Sequence, residues 1–186
     1  MPPKQKITRE QLVMHAVMLV QEKGPDALNA RGLAKAVGCS TQPIFSQYSS
    51  MDELKKDVMT AAGIVYRSFL EREIRRGKLP PHRAAALGYI RFAHREKALF
   101  RFLFMQDCTE ECMSAVYSED VAALLRGTTG LPECAENRLY ADVWMYVHGI
   151  ASMVAVGLME WDGKQIRKKI LRFFDRCEEW YGCRTV

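Results

Sequence analysis

Residues 28–54 read "LNARGLAKAVGCSTQPIFSQYSSMDEL", and the way this stretch is interrupted decides the fold. Asn29 is a good helix N-cap, so a helix is expected over about Ala30 to Val37. Gly38 supplies the left-handed backbone that ends it. Ser40 then caps a second short helix, about Thr41 to Gln47. Pro43 falls in its first turn, where a missing N–H costs nothing. Ser49-Ser50 is a further break, and a new helix begins near Met51. Two short helices across a glycine turn form a helix-turn-helix pattern. The second helix carries no formal charge. Thr41, Gln42, Ser46 and Gln47 are expected to face outward, with Ile44, Phe45 and Tyr48 packing it back. Its first turn offers free N–H groups and a positive dipole to phosphate. A B-form major groove admits one helix of this kind.

Working outward, the periodicity is helical almost everywhere. Thr8 and Gln11 form a capping box for a helix from Arg9 to Lys23, stopped by Gly24-Pro25. The helix opened near Met51 runs to about Arg72–Arg76 and ends at Gly77. After Pro80-Pro81 the spacing predicts helices over His82 to Arg95, Lys97 to Met105, Asp107 or Thr109 to Arg126, Glu133 to Met159, and Gly163 to Tyr181. The fold class is therefore all-α, with about nine helices. Residues 1–54 make a helix-turn-helix head and 55–186 a helical body.

Composition sets the class. The chain has 186 residues, 48% hydrophobic and 26% charged, ordinary for a globular protein with a sizeable core. Net charge is +5. Residues 1–50 hold six cations against three acids, so the N-terminal third is the better candidate to meet a polyanion. No apolar leader follows Met1, and a cytoplasmic location is expected. Val143 to Met159 is uncharged, but His148, Ser152 and two glycines interrupt it. A helix buried in protein is expected there rather than a membrane span. The six cysteines read as reduced thiols, with no CxxC and no metal or cofactor expected. No GxSxG, P-loop, HExxH or paired-carboxylate pattern occurs, and the four His are scattered, so no enzyme is expected.

Over residues 7–55 the chain resembles the tetracycline-repressor (TetR) family of bacterial regulators. The resemblance rests on Leu-Ala-x-x-x-Gly-x-Ser, two following aromatics and a Leu in residues 33–54. "WMYVHGIASMVAVG" (144–157) is similar to the family's penultimate helix. The resemblance implies a homodimer on a palindromic double-stranded DNA operator. Thr41, Gln42, Pro43 and Ser46 then fall on the base-reading side, and Ser40 joins the DNA-binding set. Arg31 falls near a base or phosphate, and Phe45, Gln47 and Met51 at phosphates. Two departures matter. Phe45 stands where the family has Tyr, which removes a hydroxyl. Met51 stands where it has Lys, which removes a charge and shifts weight to an N-terminal arm with Lys4, Lys6 and Arg9.

The resemblance also implies a small apolar effector in the body, lined by Tyr66, Phe69, Tyr89, Phe92, Phe104, Met105, Met113, Tyr117, Trp144 and His148, although such a stripe also suits a plain core. The last two helices are expected to pair with a second copy through Val147, Ile150, Ala151, Val154 and Leu158, and through Ile166, Ile170, Phe173, Phe174 and Trp180. The function expected is a ligand-responsive transcriptional repressor. The alternative is thiol or metal sensing by Cys108 and Cys112, one turn apart on a helix.

Overall fold

The computed structural model describes residues 7–106 and 125–182. Among them the chain is all-helical. The helices are α1 (Arg9–Lys23), α2 (Ala30–Val37), α3 (Gln42–Gln47), α4 (Met51–Arg75), α5 (Pro81–Arg95), α6 (Lys97–Phe104), α7 (Glu133–Ala155) and α8 (Gly163–Gly182), with a 3-10 turn at Pro25–Ala27 between α1 and α2. The further helix expected from residue 107 or 109 to 126 falls almost wholly outside the described residues.

Local chemistry explains the first boundaries. Thr8 and Gln11 exchange the two capping-box hydrogen bonds, and Gly24 closes α1 by donating to Val20 O at 2.8 Å. Asn29 Oδ1 accepts from Gly32 N at 2.9 Å, and Gly38 sits at φ 77. One cap differs from expectation. Thr41, not Ser40, occupies the N-cap of α3, in right-handed helical backbone and without a side-chain cap bond. Pro43 removes one of the N–H groups such a cap would serve, which lessens the need for it.

The chain divides into two compact units. The first comprises residues 7–65 and 98–106, the second 66–97 and 125–182. The boundary expected at residue 54 is displaced because α4 runs unbroken from Met51 to Arg75. In the first unit α1 packs on α2 and the 3-10 turn. Leu12, Ala16, Val20, Leu33, Ile44, Leu54 and Val58 are among its buried residues, with Leu99 and Phe100 of α6. In the second, α5, α7 and α8 pack on one another. Gly88 of α5 lets two backbones touch: a Cβ there would meet Phe69 O at 2.8 Å and Leu70 Cα at 2.9 Å.

Helix α7 ends at Ala155, four residues before the expected Met159. Gly157 turns left-handed at φ 78, and Leu158 N donates back to Met153 O at 2.9 Å. That is the left-handed stop of a Schellman motif. The apolar spacing continues past it, so periodicity alone overshoots. Among the described residues no helix is long and apolar enough to cross a membrane.

Candidate nucleic-acid interface

The second short helix is mounted by two buried side chains. Ile44 is fully buried and Tyr48, its C-cap, is 1% exposed. Tyr48 Oη donates to Asp57 Oδ2 at 2.9 Å, and the Arg9 guanidinium lies 4.2 Å from the Tyr48 ring centre. Burial and the Asp57 carboxylate push the Tyr48 phenol up. Arg9 Nη2 also donates to Glu53 Oε1 and Asp57 Oδ2, each at 3.0 Å. Glu53 in turn accepts from Ser49 N and Ser49 Oγ at 2.8 Å, which holds its carboxyl below the usual range. These bonds fix the break between α3 and α4 from both sides.

What remains outward is uncharged. Ser40, Gln42, Phe45 and Ser46 are exposed, and Thr41, Pro43 and Gln47 are half-buried. Three details refine the expected roles. Phe45 is 50% exposed, unlike the buried Ile44 and Tyr48 expected to pack back with it. Ser46 Oγ donates to Pro43 O at 2.8 Å, which leaves its lone pairs to accept from a base. Gln47 Nε2 donates to Ile7 O at 3.3 Å, so Gln47 holds the start of the described chain. Gln42 is the long side chain left for a two-point contact, the geometry that suits adenine.

The surrounding charges sort differently from expectation. Arg31 and Lys35 on α2 are exposed. Arg9, expected to help a basic arm, is instead committed to Glu53, Asp57 and Tyr48. Lys4 and Lys6 lie outside the described residues. Met51 is half-buried, and the first turn of α4 carries Asp52 and Glu53. Ser50 Oγ also takes Glu53 N at 3.2 Å. The start of α4 is therefore partly satisfied by its own side chains, which weakens it as a phosphate site.

Six of the residues expected around an effector come together in the second unit. The Tyr66 ring meets those of Tyr89 and Phe92 at centroid distances of 5.8 and 5.5 Å, and Phe69 meets Phe92 at 5.5 Å. Tyr89 Oη lies 2.8 Å from His148 Nδ1, and Trp144 stacks on His148 at 4.7 Å. Burial lowers the His148 pKa. Phe104 and Met105 belong to the first unit, where Phe104 stacks on Phe100 at 4.9 Å and Met105 is exposed. Met113 and Tyr117, with Cys108 and Cys112, lie outside the described residues.

The expected dimer residues need correction. Val147, Ile150, Ala151, Val154, Ile166, Ile170 and Phe174 are all at most 5% exposed within the single chain. They close its own α5–α7–α8 core. Phe173 is half-buried and stacks on Tyr146 at 4.1 Å. Only Leu158 and Trp180 of the expected set are open, at 81% and 58%. The apolar surface actually offered adds Trp144, Met145, Met153 and Val156 of the α7 face and its end. An apolar stripe at helical spacing does not say which side turns inward.

Sequence reasoning missed one feature altogether. His82 Nδ1 lies 3.1 Å from Thr128 Oγ1, and His82 Nε2 lies 3.0 Å from Glu178 Oε1. Arg83 pins Glu178 through Nε and Nη2. Hydroxyl, imidazole and carboxylate stand in the order of a nucleophilic triad. The proton of Thr128, however, has a carbonyl acceptor, Leu125 O, at 2.7 Å, and His82 is 5% exposed. The line is a buried clasp on the loop before α7. Glu136 completes it by accepting from Gly127 N, Thr129 N and Thr129 Oγ1. Pairs this far apart in the chain leave no local signal. Among the described residues no three His, Cys, Asp or Glu side chains are grouped to hold a metal.

No protein-family profile and no curated protein matches this chain.

Proposed function

We propose that this protein is a DNA-binding transcriptional regulator of the TetR type, a repressor that binds a palindromic operator as a homodimer and is released by a small apolar effector. One observation carries the reading. A six-residue uncharged helix, α3, is anchored by Ile44 and Tyr48 and turns Gln42, Phe45 and Ser46 to solvent. A helix kept only for packing has no need of such isolation. Uncharged hydrogen-bonding side chains read base edges, whereas cations mainly hold phosphates.

The homodimer is supported by the open apolar face of α7, with Met145 61% and Met153 37% exposed. Two heads would need a separation of roughly 34–36 Å to meet successive major grooves on one side of a duplex. The small apolar effector rests on the family resemblance; the Tyr66, Tyr89 and Phe92 rings named for it pack on one another in the second unit. The test is selection of duplexes from a random pool by the purified protein. Enrichment of an inverted repeat supports the reading, and loss of any enrichment at low salt defeats it.

A further inference from the structure

A charged surface in the second unit has no part in that reading. Helix α8 buries Ile166, Ile170, Phe174 and Cys177. Its opposite face carries Lys164, Lys168, Arg172 and Arg176 at four-residue spacing, all exposed, with Arg167 and Lys169 exposed beside them. Between Gly163 and Phe174 there are five cations and no acid. The row repeats about every 6 Å and extends about 18 Å along the axis.

The placement runs against the needs of the helix itself. A helix is stabilised by acids in its first turn and bases in its last. Here the first turn has no acid and the last no base. Lys164, Arg167 and Lys168 add to the positive end of the dipole instead of offsetting it. None of the six cations forms an ion pair with another described residue; of the acids on the same helix, Asp175 and Glu178 are engaged elsewhere and Glu179 is exposed. Arg83 holds Asp175 and Glu178, and the Asp162 carboxylate accepts from Lys164 N and Gln165 N. A charge pattern that costs the helix stability and has no ion-pair partner among the described residues points to a partner of opposite charge.

We propose that this outer face of α8 is a second DNA-binding surface, which holds duplex phosphates without reading sequence. Duplex DNA presents one negative charge per about 1.7 Å of axis, so a length matching the row carries about ten phosphates on its two strands together. A bilayer fits less well. Membrane-surface helices insert their apolar face, and that face of α8 is buried in the α5–α7–α8 core. The choice of DNA as the polyanion rests on the proposed function; the existence of an anion-holding face does not.

The experiment is titration of the full-length protein with duplexes of arbitrary sequence at several salt concentrations. For Lys164→Gln/Lys168→Gln/Arg172→Gln the slope of log affinity against log salt is expected to become shallower by about 2 to 3, with helix content unchanged. The charge-keeping variant Lys164→Arg/Lys168→Arg/Arg172→Lys is expected to match the parent. In parallel, Gln42→Ala is expected to relax sequence preference at one base position per half-site and keep the slope. Should the parent show no sequence preference yet the slopes still differ, the proposed function fails and the α8 surface stands. Equal slopes for the parent and the neutral variant overturn the α8 proposal. So does a variant that binds duplex normally but loses binding to vesicles containing anionic lipid.

Discussion

Helices α3 and α8 both turn a polar face outward, and they are built in opposite ways. Helix α3 has six residues, no charge and two buried anchors. Helix α8 has twenty residues, a buried apolar stripe and a cationic outer row. A short neutral helix has little affinity to offer a polyanion but can discriminate between base edges. A long cationic helix has the reverse endowment. On the proposed reading the chain separates the two tasks between its two units.

The largest effect that sharpens this contrast is loss of a mount. Phe174 is 1% exposed beneath the cationic row of α8. Phe174→Ala is expected to destabilise the second unit by about 3–5 kcal/mol, read as a lower urea midpoint. Ile44 does the same for α3. Ile44→Ala is expected to cost about 2–5 kcal/mol and to abolish sequence selection, while salt-dependent binding to arbitrary duplex persists. If sequence selection survives while stability falls, α3 is not the reader.

A smaller effect separates reading from holding. Gln42→Ala is expected to relax preference at one base position per half-site by about 1–3 kcal/mol, with unchanged thermal stability because Gln42 is exposed. Competition between selected and single-position variant duplexes measures it.

The smallest concerns pH. Burial lowers the pKa values of His82, His94 and His148, and Glu178 opposes this at His82. The folded state therefore takes up these protons less readily than the unfolded one. Stability is full above the ordinary imidazole value of about 6.5 and declines as pH falls below it. His148→Gln keeps a partner for Tyr89 but cannot titrate, so its melting temperature is expected to fall less between pH 7 and pH 5. A parallel loss in variant and parent would remove His148 from the explanation.

Much of the head was legible because its signals are local. Thr8 with Gln11, Asn29 and Gly38 each act within a few residues, and the boundaries of α1 and α2 fall where those side chains place them. The cap of α3 slipped from Ser40 to Thr41 because Pro43 alters what the first turn needs. The rest depended on distance. Arg9 reads as a basic-arm cation until Glu53 and Asp57, more than forty residues on, claim it. The stripe on α7 is plain in the sequence, but only packing against α5 and α8 decides that Val147 and Ile150 turn inward. The His82–Glu178 clasp joins residues 96 apart. The charge run at the start of α8 is plain in the sequence as a solvated face, and the fold shows Lys164, Arg167, Lys168 and Lys169 exposed.

The most direct test of the central claim is duplex selection by the parent and by Gln42→Ala/Ser46→Ala, run side by side from one random pool. The account predicts an inverted repeat from the parent, with half-sites about one helical turn apart. It predicts a degenerate or shifted motif from the variant, at equal helix content. The same motif from both proteins would contradict the assignment of α3 as the helix that reads DNA.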